Sequence, residues 1–174
     1  MVIWIIGISG SGKTSLGKCL YKILKKRIKN LVFIDGDIFR NLMGNEIGYS
    51  LKERDKNAKR LINFVNFINS QKINVICSAN LTSSKNRILV RKKIKNYYEV
   101  FLKVPIEILI RNRDYKGLYK KAIKGKIKNV VGIDIRKSVP KNSHLIIKNE
   151  ERLMNFDKMS QSVISKSKIL IKKF

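Results

Sequence analysis

At 174 residues the chain is long enough for one domain that buries roughly two-thirds of its unfolded surface, and no Gly-, Pro- or Ser-rich linker or internal repeat divides it. Its 39 basic and 12 acidic residues give a formal net charge of +27. The lysines are scattered through every segment without an RNA-binding signature or aromatic stacking platform, which argues against a nucleic-acid partner. Cys19 and Cys77 form neither a metal pattern nor a disulfide framework, His144 has no second histidine to pair with, and the apolar N-terminus is too short to span a bilayer. The expectation is a cytoplasmic protein with no membrane partner.

The apolar run Val2 to Ile6 reads as a buried strand, and Gly7 to Thr14 directly after it fill every fixed position of G-x-x-x-x-G-K-[ST]. Gly7, Gly10 and Gly12 let bare backbone approach a ligand, so successive N–H groups form an anion nest at a helix N-terminus. Gly7, Ser9, Gly10, Ser11, Gly12, Lys13, Thr14 and Ser15 are therefore the expected ATP-binding loop. Lys13 supplies a point charge for the β- and γ-phosphates, and the Thr14 hydroxyl a ligand for Mg²⁺.

Ser15 to Ile28 follows as a helix with Leu16, Leu20, Ile23 and Leu24 on one face. Leu31 to Ile34, apolar without alternation, suits a strand buried on both faces of a parallel sheet. It ends in Asp35-Gly36-Asp37, two carboxylates at a strand end, where open α/β sheets bind ligands; Asp37 is also a candidate cap for a following helix. From Ser50 a helix carries the stripe Leu51, Ala58, Leu61, Ile62, Val65 and Ile68, and the row Arg54, Asn57, Arg60 at a spacing that suits either a solvated face or a grip on a second nucleotide.

Ile73 to Cys77 is the third strand, Ser78 to Asn86 a polar loop, Arg87 to Lys95 a basic helix, and Tyr97 to Val104 a fourth strand closed by Pro105. Ile106 to Asp114 reads as a short helix. Lys116 to Asp134 is dense in lysine with three glycines and reads as a mobile lid, about residues 115–137, that closes over phosphates and excludes water. Leu145 to Ile147 is a fifth strand, and 157–174 an amphipathic helix expected to pack on the sheet. Strands alternating with helices predict an α/β fold of P-loop NTPase type, a doubly wound, mainly parallel five-stranded sheet flanked by helices, in one domain over 1–174.

Taken together these residues resemble the adenylylsulfate kinases, which transfer the γ-phosphate of ATP to the ribose 3′-hydroxyl of adenylyl sulfate. The likeness runs from about Val2 to Ile147. It rests on the phosphate loop, Asp35-Gly36-Asp37 with Arg40, Ile47-Gly48-Tyr49-Ser50 with Arg54 and Asn57, Arg113-Asp114, and Lys116 to Ala122 leading to Gly132-Ile133-Asp134. The resemblance implies ATP and Mg²⁺ as cofactors and a small nucleotide as acceptor. Arg40, Arg54 and Asn57 would grip the acceptor, Tyr49 would stack on its base, and Lys116, Leu118, Lys121, Val130 and Ile133 would complete its site. Arg113 would lie against the adenine of ATP, with Lys116, Lys120 and Lys121 in the lid. Asp37 would face the acceptor hydroxyl as base or orienting group, and Asp35 would organise the Mg²⁺ water shell. Family members are often dimers, so a homodimer is implied, with no interface legible.

The chain also departs from the family pattern. Leu81-Thr82-Ser83-Ser84-Lys85 stands where the family has Ile-Ser-Pro-Tyr-Arg, so direct in-line transfer is expected rather than a phosphoserine intermediate. Val130-Val131 replaces a Phe-Thr pair whose ring closes the acceptor base pocket, and Arg136-Lys137-Ser138 replaces Pro-Tyr-Glu. Loss of the ring removes about 1 kcal/mol of aromatic attraction and relaxes selection for adenine. A related branch, the cytidine diphosphoramidate kinases, phosphorylates a 3′-hydroxyl on a cytidine nucleotide, and the Val-Val-Gly-Ile-Asp variant resembles it. Adenylyl sulfate and cytidine diphosphoramidate both stand as acceptors. A basic nucleic-acid-binding module and a regulatory nucleotide binder are the competing readings.

Overall fold

The computed structural model describes residues 1–44, 48–136, 139–140, 142–150 and 155–167. Five strands, β1 (Val2–Ile6), β2 (Leu31–Asp35), β3 (Asn74–Ser78), β4 (Tyr97–Lys103) and β5 (Leu145–Lys148), form one sheet in the order β2-β3-β1-β4-β5. Every pairing is parallel, with Val2 opposite Val75 on one side and Tyr97 on the other. β1 lies in the centre and all five of its residues are buried, which is why it shows no polar alternation. Because the strands are parallel, their C-terminal ends gather along one edge, and the phosphate loop and Asp35 both open from it.

The helices are α1 (Lys13–Lys25), α2 (Gly36–Leu42), α3 (Leu51–Ser70), α4 (Ser84–Lys93), α5 (Ile106–Asn112), α6 (Leu118–Ile123) and α7 (Phe156–Lys166). One core cluster gathers Trp4, Leu61, Ile62, Val65 and Val90 from β1, α3 and α4. Another gathers Ile3, Ile5, Leu16, Leu20 and Val163 from β1, α1 and α7. A third, smaller cluster gathers Ile8, Leu109, Tyr119, Val130 and Val131 from the phosphate loop, α5, α6 and the turn that follows it.

The structure revises several expected boundaries. The first helix starts at Lys13 rather than Ser15 and ends at Lys25. The polar stretch from Ser78 to Asn86 is a loop only in its middle, because Ser78 ends β3 and Ser83 accepts from the Lys85 N–H to start α4 at Ser84. Asp37 does not cap the following helix. Asp35 does, accepting from the N–H groups of Asp37 and Ile38. Of the expected C-terminal helix, Phe156–Lys166 is helical and 168–174 lie outside the described residues, as do Ile47, Lys137 and Ser138.

Candidate active site

The phosphate loop leaves β1 at Gly7 and enters α1 at Lys13. Gly10 and Gly12 hold left-handed conformations, with φ of 74° and 95°, that side chains disfavour. A Cβ at Gly10 would come within 3.0 Å of the Arg113 carbonyl, and one at Gly12 within 3.1 Å of the Phe156 ring. The loop is thus pressed against α5 and α7 as well as open to a ligand.

Lys13 lies across the loop, where its Nζ donates to the Ile8 carbonyl at 2.9 Å. Burial pushes its pKa down to about 8, partly offset by the Asp37 and Asp35 carboxylates and reinforced by Lys116. These couplings bring Lys13, both acids and the base of the lid into one electrostatic group.

Thr14 Oγ1 donates to Asp35 Oδ2 at 2.7 Å, while Asp35 Oδ1 accepts from Asp37 N at 2.9 Å and Ile38 N at 3.3 Å. One carboxylate therefore ties the phosphate loop to the end of β2 and starts α2. Asp37 follows in the first turn of α2 and is exposed. Thr14 and Asp35 together present hard oxygen donors beside Lys13. That donor set suits Mg²⁺, which takes few protein ligands and keeps waters and phosphate oxygens for the rest.

Around the end of α2 and the start of α3, where the acceptor residues are expected, Arg40 Nη1 donates to the Gly48 carbonyl at 2.6 Å. Arg54 donates from Nε to the Tyr49 carbonyl and from Nη2 to the Asn129 carbonyl, both at 2.7 Å. The two guanidinium carbons lie 4.7 Å and 5.2 Å from the centre of the Tyr49 ring. A base stacking on Tyr49 must share the ring with these cations. Burial, with Arg40 nearby, pulls the Arg54 pKa below its ordinary value. Asn57 is 6 % exposed and its Oδ1 has no hydrogen-bond partner among the described residues.

The segment expected to form a lid is held near both ends by carboxylates. Asp114 accepts from the N–H groups of Tyr119 at 3.1 Å and Lys120 at 2.9 Å, which starts α6. Asp134 accepts from the N–H groups of Asn129 and Val130 and closes the turn that carries Val131 and Gly132. Lys116, Lys120 and Lys121 are exposed, whereas Leu118, Val130 and Ile133 pack in the cluster with Ile8.

Arg113 is 3 % exposed and turns inward, Nη1 donating to the Asn149 carbonyl at 2.9 Å. Thr82 borders a cavity of about 150 Å³ lined also by Arg54, Asp55, Asn86, Ile135 and Arg136. Sequence reasoning assigned no role to Tyr119 or Asn149, which donate to the Ser9 and Ser11 carbonyls of the phosphate loop. Nothing local in the sequence marks either residue, because the contacts bridge 110 and 138 positions.

A parallel sheet in this order, with a lysine-bearing glycine loop on its central strand and the paired acids Asp35 and Asp37 at the end of the outer strand β2, makes the chain a P-loop kinase. Residues 1–148 match the family model described as adenylylsulphate kinase, and the chain belongs to that family. It is 38 % identical over 165 residues to the cytidine diphosphoramidate kinase of Campylobacter jejuni subsp. jejuni serotype O:2, covering 95 % of each chain. It is 36 % identical over 145 residues to the adenylyl-sulfate kinase of Rippkaea orientalis, covering 83 % of this chain and 80 % of that one. The structure of the Mycobacterium tuberculosis APS kinase in complex with AMPPNP and APS superposes with a TM-score of 0.86 at 30 % identity, covering 96 % of both chains. The chain is accordingly a phosphotransferase that uses ATP and acts on a nucleotide. Among the described residues no helix is long and apolar enough to cross a membrane.

Proposed function

We propose that this protein transfers the γ-phosphate of ATP to the ribose 3′-hydroxyl of a small nucleotide anhydride, either cytidine diphosphoramidate or adenylyl sulfate. The observation that carries the reading is the 2.7 Å bond from Thr14 to Asp35, which joins the phosphate loop to the strand end where Asp37 begins the acceptor side. Thr14 would hold Mg²⁺ directly and Asp35 through water. The ion would neutralise charge on the β- and γ-phosphates.

The N–H groups of Gly10 and of Gly12 to Ser15 cradle the phosphates, and Lys13 exchanges the Ile8 carbonyl, which keeps the Ser11 N–H, for phosphate oxygens. Arg113 walls the adenine of ATP. Arg40, Tyr49, Arg54 and Asn57 hold the acceptor, and the unpaired Asn57 Oδ1 is satisfied by a ligand donor. Lys116, Leu118, Lys120, Lys121, Val130 and Ile133 close over both nucleotides. Asp37 accepts a hydrogen bond from the 3′-hydroxyl and aligns it with the γ-phosphorus. A ribose hydroxyl is too weak an acid to be deprotonated beforehand, so alignment and charge neutralisation supply most of the acceleration. The same reading puts the protein in the cytoplasm as a homodimer.

Two observations favour the cytidine acceptor. Val130-Val131 stands where adenylylsulfate kinases carry the ring that closes on adenine, and the chain shares 38 % identity over 165 residues with a cytidine diphosphoramidate kinase. A coupled ADP-release assay with Mg·ATP and each acceptor tests the proposal. Stimulation by either acceptor, abolished in Lys13→Ala, is the expected result. A roughly tenfold preference in kcat/KM, worth about 1.4 kcal/mol, identifies the acceptor. Stimulation by neither rejects the reading.

A further inference from the structure

A phosphate loop binds anions only when its N–H groups face the ligand, so its carbonyl groups must turn outward and find donors elsewhere. Donors in the loop itself, in α1 and at the end of β3 serve three of them. The Ile8 carbonyl accepts from Lys13 Nζ, the Gly12 carbonyl from the Leu16 N–H, and the Lys13 carbonyl from Ser78 Oγ, each at 2.9 Å. Two further donors come from distant parts of the chain. The Tyr119 hydroxyl donates to the Ser9 carbonyl at 2.7 Å, and Asn149 Nδ2 donates to the Ser11 carbonyl at 2.9 Å.

Both donors are built in rather than incidental. Tyr119 and Asn149 are each 1 % exposed. Asp114 fixes the Tyr119 backbone at the start of α6. Asn149 continues the β4–β5 pairing through its N–H to the Lys103 carbonyl at 3.0 Å, and its own carbonyl accepts from Arg113 at 2.9 Å. The Ser11 carbonyl requires a donor, so the amide of Asn149 must present Nδ2 to it. Its Oδ1 is left buried without a partner among the described residues. An unpaired buried oxygen is costly, and here it accompanies a donor held on the loop.

We infer that Tyr119 and Asn149 are positioning residues of the phosphate loop, holding the Ser9 and Ser11 carbonyls outward so that the loop's N–H groups face the phosphates of ATP. One brace comes from the lid helix and the other from the end of β5. Loop geometry, lid base and the wall formed by Arg113 are thereby tied into one unit. Loss of either donor frees a peptide of the loop to rotate, which weakens phosphate binding while the acceptor side stays intact. The inference rests on the ATP-kinase reading of the same site.

The test uses Tyr119→Phe, which removes one oxygen and keeps the ring, and Asn149→Ala, both in the full chain. The dissociation constant for ATP is measured by calorimetry without acceptor, together with KM for ATP, KM for the acceptor and the thermal midpoint. The expected result is a rise of about fivefold or more in the ATP constants, with the acceptor KM changed less than about twofold. ATP affinity unchanged in Tyr119→Phe, or equal losses for ATP and acceptor, overturns the inference. Should the parent bind ATP yet phosphorylate neither acceptor, the proposed reaction fails, and the calorimetric comparison still decides the role of the two donors.

Discussion

Lys13 offers the sharpest perturbation, because its ammonium is charged in a place that disfavours charge. Burial lowers its pKa from 10.5 to about 8, against the pull of Asp37 and Asp35 and with a further push from Lys116. That gap corresponds to about 3 kcal/mol against the charged form in the folded chain, at about 1.4 kcal/mol per tenfold change in acidity. Below pH 8 the lysine is charged both folded and unfolded, and the folded chain carries the whole penalty. Between pH 8 and 10.5 only the unfolded chain keeps the proton, so stability from this group rises with pH. Replacing Lys13 by Met removes the penalty and also the bond to the Ile8 carbonyl, worth about 1 kcal/mol. The nucleotide-free variant should therefore be about 2 kcal/mol more stable than the parent near neutral pH, and the difference should vanish or reverse by about pH 10. Urea unfolding at both pH values measures it. The parent's kcat/KM for ATP should fall as pH rises past about 8, since phosphate binding needs the ammonium. A variant less stable than the parent at neutral pH, or a stability gap independent of pH, would refute the argument.

Asp35→Ala removes the cap of α2 and should cost about 1 kcal/mol in urea unfolding. Asp35→Asn keeps the cap and should leave unfolding nearly unchanged while raising the Mg²⁺ concentration needed for half-maximal rate. Asp37→Asn should lower kcat by about 10²-fold with little change in KM for ATP, and an unaltered kcat would remove Asp37 from the reaction. Arg91→Ala leaves Glu99, 0 % exposed, without the guanidinium that lies 2.9 Å from it. It should cost about 3 kcal/mol of stability, with KM for ATP unmoved in the folded fraction.

The sequence made legible what depends on neighbouring residues. The strand, glycine loop and helix from Val2 to Lys25 could be read because apolar run, loop spacing and helical period all fall within a few turns. The central strand β1 was visible as an unbroken apolar run, and β3 and β4 as mainly apolar runs interrupted by Asn74 and Glu99. Helix α2 entered only as an element for Asp37 to cap, without bounds, because seven residues with Phe39 alone buried make too short a period. The start of α4 was hidden because Ser83 caps it from inside a run of polar residues. The choice between Asp35 and Asp37 as helix cap is made by Thr14, 21 residues away, which draws Asp35 toward the phosphate loop. Tyr119 and Asn149 lay beyond reach for the same reason: a donor is identified by the carbonyl it finds, and here that carbonyl lies more than a hundred residues away.

Of the 12 acids set against 39 bases in this chain, several of those described hold specific backbone or side-chain partners. Asp35, Glu53, Asp114 and Asp134 bind backbone N–H groups at helix starts and a turn. Glu99 is buried against Arg91, and Asp55 meets Lys59 and Asn86. Asp37 differs from these. It is exposed at the active edge, within electrostatic reach of Lys13 and Arg54, and no hydrogen bond among the described residues engages its carboxylate. An ionised carboxylate accepts hydrogen bonds and donates none, so it recruits a hydroxyl and repels a phosphate. A P-loop kinase acting on a phosphate acceptor would need a cation at that point. The placement of Asp37, within electrostatic reach of Arg54, thus supports the proposed alcohol as the group phosphorylated, and the proposal assigns the anhydride on the same sugar to the two guanidinium groups, Arg40 and Arg54, that face the Tyr49 ring.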